Sequence, residues 1–134
     1  MNLIKSEDLL LTHGVKPTSQ RLVITEYLLK SHDHPTADEI FNAVANSLPV
    51  ALSRATVYNT LNCLKDAGVI NEVIVEPGKV RYDANLSDHH HFLDVKSGRL
   101  MDIPAEKVEK IGKLLGKRFK VHGIQVLFTG EIQG

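Results

Sequence analysis

A run of histidines and aspartates at residues 88–102, DHHHFLDVKSGRLMD, carries the most reactive side-chain types of this chain. Imidazole and carboxylate groups can bind a metal ion or exchange protons in a catalytic centre. Alternatively, the segment could be a polar loop without either role. In an extended segment, His89 and His91 point to the same side and His90 to the other, because side chains alternate along a strand. The spacing therefore makes His89 and His91 a candidate pair of metal ligands.

The cysteine count restricts the kind of metal site. The sequence contains one cysteine, Cys63, which excludes an internal disulfide and a cysteine-rich zinc site. Any metal must therefore bind to His, Asp and Glu, a set of nitrogen and oxygen ligands that suits Fe²⁺, Mn²⁺ or Zn²⁺. Cys63 itself is expected to be a small, buried side chain of a helix.

Length and charge set further limits. A chain of 134 residues suits one domain or two very small ones. The 16 basic and 16 acidic residues balance, so a nucleic-acid surface would have to collect its cations on one face. No apolar run approaches the roughly 18–20 residues that span a bilayer, and the N-terminal segment lacks a signal-peptide pattern. We therefore predict a soluble, cytoplasmic protein without membrane contact.

Helical periodicity dominates the first half of the chain. Helices are predicted within 6–12, 16–31, 34–48 and 53–68, with N-caps at Thr18 and Ser53 and a capping box formed by Thr36 and Glu39. After Gly68 the hydrophobic period becomes two, which predicts a β-hairpin turning at 76–79. Helices followed by a hairpin form a winged helix-turn-helix domain, which we predict for residues 1–83.

For the remaining residues, 84–134, we predict a small α/β dimerisation domain. Together with the winged helix-turn-helix domain, it gives the α+β fold class. Its predicted elements are a hairpin over 92–103 turning at 96–98, an amphipathic helix over 104–118 and a strand within 120–130. A segment this small buries little core by itself. We therefore expect a second copy of the chain to complete it in a homodimer.

The helix at 53–67 is the predicted DNA-reading element. In helix-turn-helix proteins, the N-terminal part of the recognition helix meets base edges in the major groove. The predicted base contacts are Arg54, Thr56, Tyr58 and Asn59. The predicted phosphate contacts are Lys16 and Arg21, at the start of the second helix, and Lys79 and Arg81, in the wing.

Five segments of the chain together resemble the ferric uptake regulator (Fur) superfamily. They are KPTSQR (16–21), HPTADEIF (34–41), ATVYNTLNCLKDAGVI (55–70), RYD (81–83) and DHHHF (88–92). They occur in the family's order over nearly the whole chain. Within the superfamily, the sequence is most similar to the peroxide-sensing (PerR) branch.

The resemblance implies a function and a ligand set. Carried over by position, the regulatory metal ligands are His34, Asp83, His89, His91 and Asp102. It implies a homodimeric repressor that binds a palindromic operator when Fe(II) or Mn(II) occupies this site, with Zn(II) able to bind in vitro. It also implies that peroxide reacts at bound Fe²⁺ and oxidises His34 or His89, whereas Mn²⁺ does not support that reaction. Iron-sensing members more often carry Glu at the positions of Asp83 and Asp102.

The sequence departs from the family where most members hold a structural zinc with two Cys-x-x-Cys pairs. Asp94 and Ser97 stand at the positions of the first pair, so no structural zinc is expected. Three histidines without these cysteines also resemble the haem-responsive iron regulators (Irr) of the same superfamily. Iron-responsive or haem-responsive regulation is therefore the alternative function, with haem as an alternative cofactor.

Two further hypotheses concern the remaining polar residues. Asp88 and His90, with Glu109 or His122, could form a second metal site, as in other superfamily members, although Ile124 stands at the family's position for the remote histidine. A small metalloenzyme would use the same residue types, but such an enzyme keeps an open coordination position and a substrate pocket. Five protein ligands leave little room for either, so we predict a regulator and not an enzyme.

Overall fold

The computed structural model describes residues 3–31, 33–76, 79–84, 89–121 and 124–133. The chain divides into two compact units, Met1–Leu86 and Ser87–Gly134. Helices dominate the first unit and a small sheet dominates the second, so the predicted α+β class is confirmed. Among the described residues, no helix is long and apolar enough to cross a membrane.

Four helices form the first unit up to residue 66: α1 (Leu3–Thr12), α2 (Ser19–Lys30), α3 (Ala37–Val44) and α4 (Arg54–Asp66). Each of the three predicted caps is present. The hydroxyl of Thr18 accepts a hydrogen bond from the Arg21 backbone N–H, and Thr36 and Ser53 accept the equivalent bonds at α3 and α4. These bonds satisfy N–H groups that have no partner inside the helix, which fixes where each helix begins.

The hydrophobic core of the first unit collects one face of each helix. Val57, Leu61 and Leu64 of α4 are fully buried, which confirms the face predicted from their spacing. Ile24 of α2 and Ile40 of α3 are also fully buried and belong to the same cluster. The polar face of α4 is thereby left at the surface of this unit.

A β-hairpin follows α4. Gly68 adopts a left-handed conformation (φ +81°) that ends the helix, as predicted. Strands β1 (Asn71–Glu76) and β2 (Lys79–Asp83) then pair antiparallel. The predicted turn residues Pro77 and Gly78 lie outside the described residues.

The second unit is built around a three-stranded sheet. Strand β3 (His89–Asp94) lies between β4 (Leu100–Pro104), with which it pairs antiparallel, and β5 (Leu127–Gly130), with which it pairs parallel. The hairpin predicted over 92–103 is thus present, and its turn includes Gly98 at a φ of +75°.

The prediction of one amphipathic helix over 104–118 was wrong. The segment contains a 3₁₀ turn (Ala105–Lys107) and a five-residue helix, α5 (Glu109–Lys113). Gly116 follows in a left-handed conformation (φ +71°), which a continuous helix does not permit. The apolar residues Leu114 and Leu115 are exposed, so little buried surface supports a longer helix. The last strand is likewise shorter than predicted.

Candidate metal centre

The first unit brings His34 and Asp83 together by pairing the loop before α3 with strand β2. The Tyr82 backbone N–H donates a 2.9 Å hydrogen bond to the Pro35 carbonyl, and Thr36 forms an isolated antiparallel bridge with Arg81. The neighbouring side chains consequently meet, with His34 Nε2 3.3 Å from Asp83 Oδ2. Both side chains are buried.

The backbone of His34 is unusual. Its φ of +52° is the one positive value for a non-glycine among the described residues. This left-handed conformation costs about 1–2 kcal/mol for a residue with a Cβ atom. Such strain persists where the surroundings enforce it and is concentrated at functional sites. The bonds from Pro35 and Thr36 to β2 supply that enforcement.

The second unit brings together His89, His91 and Asp102. His91 pairs directly with Asp102 across β3 and β4, and His89 lies on the same face of β3. Asp102 Oδ1 is 3.5 Å from His89 Nε2 and 3.6 Å from His91 Nε2. The two imidazole rings meet edge to face, with centroids 4.8 Å apart and planes inclined by 68°. One carboxylate oxygen therefore faces two ring nitrogens.

These spacings fit ligands arranged around an ion. With metal–ligand bonds of about 2.1 Å, neighbouring ligand atoms lie about 3.0–3.4 Å apart in octahedral and tetrahedral shells. The separations of 3.3, 3.5 and 3.6 Å are close to those values. They exceed the 2.7–3.2 Å that is typical of N–H···O hydrogen bonds. Each set of nitrogen and oxygen donors can accordingly contribute to a site for a divalent first-row metal.

His90 lies on the opposite face of β3, as its position in the strand predicts. Its side chain is buried, and Nδ1 accepts a 3.1 Å hydrogen bond from the Val126 backbone N–H. Of the other residues predicted for a second metal site, Asp88 and His122 lie outside the described residues, and Glu109 is exposed at the start of α5. The second site stays a prediction.

Asp94 and Ser97 hold the β3–β4 turn by hydrogen bonds. Asp94 Oδ2 accepts a 2.8 Å bond from the Ser97 hydroxyl, and Oδ1 accepts a 3.1 Å bond from the Lys96 N–H. Ser97 Oγ in turn accepts a 3.1 Å bond from the Arg99 N–H. The Ser97 hydroxyl, followed by the backbone N–H groups of Lys96 and Ser97, lowers the pKa of the Asp94 carboxyl below its ordinary 3.8.

Comparison with known proteins identifies the family. Residues 12–129 match the model of the ferric uptake regulator family. The peroxide-responsive repressor PerR of Staphylococcus epidermidis is 38% identical over 101 residues, which are 75% of this chain and 67% of that protein. PerR of Staphylococcus aureus is similar to the same degree, 38% over 101 residues, covering 75% of this chain and 68% of that protein.

The chain belongs to the ferric uptake regulator family. Among solved structures, the Campylobacter jejuni peroxide stress regulator is 26% identical and has a TM-score of 0.69, covering 100% of this chain and 98% of that one. The Vibrio cholerae ferric uptake regulator has a TM-score of 0.75 at 24% identity, covering 94% and 98%, and shows the shared fold.

Family membership settles the class of function. Members of the ferric uptake regulator family are metal-dependent, DNA-binding transcriptional repressors and not enzymes. The predictions of superfamily and of a regulator that is not an enzyme are therefore confirmed.

In this family member, the polar face of α4 carries the predicted base contacts. Arg54 forms a 2.5 Å ion pair with Asp38 of α3, and its guanidinium lies 4.5 Å from the centre of the Phe41 ring. The Tyr58 hydroxyl donates to the same Asp38 carboxylate at 3.3 Å. Asn59 is exposed. Sequence reasoning missed Asp38, because nothing in its spacing indicates that it would orient two side chains of another helix.

The remaining predicted DNA contacts also lie in the first unit. Thr56 is half-buried and bonded to the Ser53 hydroxyl at 2.9 Å. Arg21 Nη1 donates to the Lys16 carbonyl at 2.9 Å, which ties the start of α2 to the preceding loop. In the hairpin, Lys79 is exposed and Arg81 is half-buried. Their contact with DNA stays a prediction.

Proposed function

We propose that this chain is a homodimeric repressor that releases its operator when peroxide reacts at a bound Fe²⁺ ion. The observation that carries the proposal is the pair of His/Asp clusters, His34 with Asp83 and His89 and His91 with Asp102. The relatives support peroxide as the signal, since the Staphylococcus proteins at 38% identity are peroxide-responsive repressors.

The two clusters are proposed to share one regulatory ion. Neither cluster alone offers the four to six ligands that Zn²⁺, Mn²⁺ or Fe²⁺ takes, whereas the five side chains together do. An ion held by both would favour one arrangement of the DNA-reading unit, proposed as 1–83, and the dimerisation unit, 84–134. Metal binding would thereby shift the population toward the DNA-binding form.

The bound ion determines whether the repressor senses peroxide. A bound Fe²⁺ would supply the one-electron chemistry that converts peroxide into an oxidant, whereas Mn²⁺ would bind to the same ligands without that reaction. The chain's own contribution is to bury the imidazoles of His34 and His89 beside the carboxylates that would hold the ion. Oxidation of either ring removes a ligand and weakens the metal-bound arrangement.

A structural zinc is not proposed. In its place, the Asp94 carboxylate and the Ser97 hydroxyl fasten the β3–β4 turn by their own hydrogen bonds. Oxygen ligands on a turn already saturated by internal donors are poor competitors for Zn²⁺.

Dimerisation through the second unit is proposed from its exposed apolar side chains. Leu114 is 84% exposed, and Leu115, Phe119 and Phe128 are also exposed. Large apolar side chains that are exposed in so small a unit favour burial against a second copy of the chain. In a dimer, two copies of α4 would read the two halves of a palindromic operator. We place this repressor in the cytoplasm, where such operators are found.

The test begins with operator selection. Random duplexes are selected against Mn²⁺-loaded protein, and the enriched duplex is used to measure affinity for the Fe²⁺ and Mn²⁺ forms before and after brief peroxide treatment under anaerobic handling. We expect the Fe²⁺ form alone to lose its affinity and to gain 16 Da on a peptide containing His34 or His89.

Two outcomes would contradict the proposal. An Fe²⁺ form that keeps its DNA affinity and gains no oxygen would exclude peroxide sensing at this site. A haem titration whose Soret shift tracks the loss of DNA binding would instead identify a haem-responsive regulator.

A further inference from the structure

A groove of about 220 Å³ lies between the start of α2 and the polar face of α4. Thr18 and Arg21 line it from α2, and Thr56, Asn59 and Cys63 line it from α4. These α4 residues recur at intervals of three and four, so they occupy one face of the helix. The groove thus connects the thiol of Cys63 with the side chains proposed to read DNA.

Cys63 does not occupy the position expected of it. It was predicted to be a buried helix residue, but it is only partly buried and borders this groove. It is also the one cysteine of the 134-residue sequence. A reagent selective for thiols can therefore modify the chain at one position only.

A polar group in the groove has no internal partner. The side chain of Thr60 is one turn from Cys63, lines the groove and belongs to a residue that is only 7% exposed. Among the residues that the structure describes, none forms a hydrogen bond with its hydroxyl. This hydroxyl is not one of the fully buried side-chain atoms that lack a partner, so it is open to the groove. A molecule bound in the groove can therefore form a hydrogen bond with it.

The charge of the groove favours an anion. Arg21 is the charged residue of its lining, and no described lining residue is acidic. The first turn of α2 also contains no acid, and its N-cap Thr18 borders the groove. The positive end of the helix dipole and the Arg21 guanidinium therefore both act on a ligand there.

We propose that Cys63 is a thiol-modification site for low-molecular-weight disulfides that carry a carboxylate or a similar anion, and that the adduct weakens DNA binding. The Cys63 thiol loses its proton to water, and the thiolate attacks one sulfur of the disulfide. The reagent's S–S bond breaks as the Cys63 S–S bond forms, and the departing thiolate takes up a proton. A second thiol reverses the reaction.

The consequence for DNA follows from the position of the adduct. An anionic group in this groove lies beside Thr56 and Asn59, where it opposes the approach of DNA phosphates. The regulatory part of the inference rests on the proposed DNA-reading role of α4, whereas the modification itself does not. This input is independent of the metal ligands.

The first experiment measures the modification without DNA. The full chain is treated with an anionic methanethiosulfonate (the sulfonatoethyl reagent) and a cationic one (the trimethylammonioethyl reagent), and each rate is normalised to that of a free small thiol. We expect one adduct per chain and a faster normalised rate for the anionic reagent. The anionic-to-cationic ratio should fall severalfold in Arg21→Gln and be retained in Arg21→Lys. Lys96→Gln, which removes a charge in the other unit, is the matched control and should keep the ratio.

Either of two results overturns the site. The folded chain could gain no adduct under conditions that label the unfolded chain. Alternatively, the ratio could be the same in Arg21→Gln and the wild type, although circular dichroism shows both to be folded.

The second experiment measures operator affinity of the Mn²⁺-loaded chain. We expect the sulfonatoethyl adduct to bind at least about tenfold more weakly, because one unfavourable charge contact costs more than about 1.4 kcal/mol. The small, neutral methyl adduct from methyl methanethiosulfonate should bind nearly as the unmodified chain does. Dithiothreitol should restore binding, and Cys63→Ser should be insensitive to both reagents.

Equal affinities for the charged and neutral adducts would exclude regulation through charge in the groove. If even the unmodified chain bound no DNA, the proposed repressor function would fail, while the rates of the first experiment would still decide the modification site.

Discussion

The imidazoles of His89 and His91 meet edge to face on one side of β3, with their ring centroids 4.8 Å apart. His90, between them in the sequence, instead accepts a hydrogen bond from the Val126 N–H at the opposite face. The alternation of the strand thus places His89 and His91 on the face that is proposed to bind metal, and His90 on the face that bonds to the neighbouring segment. Variants of the two kinds of histidine should therefore differ in their affinity for metal.

Replacement of His91 by alanine should weaken binding of Mn²⁺ by at least about tenfold, since even the loss of a group that only supports a ligand costs that much. The variant should also lose metal-dependent DNA binding. His90→Asn is the matched control, because the amide oxygen of asparagine can replace Nδ1 as the acceptor for the Val126 N–H. Titration calorimetry with Mn²⁺ provides the measurement. If His91→Ala and His90→Asn lost equal Mn²⁺ affinity, the proposal that only one face of β3 binds metal would be wrong.

Asn59→Ala should reduce discrimination between the selected operator and variants with one altered base pair by about 1–3 kcal/mol. The exposed amide of Asn59 on α4 is proposed to pair with a base edge.

Lys16→Gln should weaken the binding of all duplexes alike and lower the salt dependence of binding by about one unit of slope, because Lys16 is proposed to contact phosphate. Fluorescence anisotropy at several salt concentrations separates the two effects. If Asn59→Ala changed the salt dependence of binding but left the discrimination between base pairs intact, Asn59 would be a phosphate contact and not a base contact.

Asp94→Asn should lower the melting temperature at neutral pH. The folded turn lowers the pKa of this carboxyl below 3.8, so its ionised form stabilises the fold at pH values above 3.8. That contribution is lost as the pH falls through the folded-state pKa, and the difference between wild type and variant should vanish there. Thermal unfolding between pH 7 and pH 3 tests this, with the exposed Asp66→Asn as a control that should leave the turn intact. A difference that does not decrease between pH 7 and pH 3 would show that the charge is not its cause.

Leu61→Ala should destabilise the first unit by about 2–5 kcal/mol, because the side chain is fully buried and its removal leaves a cavity. Leu11→Ala removes the same atoms at a position that is 55% exposed, and should cost far less. Urea unfolding of the two variants gives the comparison. Similar losses would place Leu61 outside a well-packed core.

Local signals in the sequence determined much of the first unit. The spacing of Val57, Leu61 and Leu64 predicted the buried face of α4, and three hydroxyl residues predicted the starts of α2, α3 and α4. Both signals depend on interactions within one or two helical turns, so a linear sequence displays them. The alternation around His90 was predictable for the same reason.

The helix predicted over 104–118 shows where local signals fail. Its apolar spacing was compatible with a helix, but Gly116 has a left-handed conformation and Leu114 has little to pack against. A short amphipathic helix depends on tertiary burial more than on its own propensity. The sequence alone does not show whether that burial exists.

Tertiary structure decided the contacts between residues that are distant in sequence. His34 meets Asp83 because the Pro35 carbonyl bonds to the Tyr82 N–H, and this pairing enforces the left-handed backbone of His34. Arg54 and Tyr58 share Asp38, and Cys63 reaches a groove with Arg21, through the packing of separate helices. The sequence by itself determined the residue types available for the proposed metal site, the family and the alternating face of β3, since each is encoded in short segments of the chain. The geometry that joins them depends on long-range packing, which only the folded chain specifies.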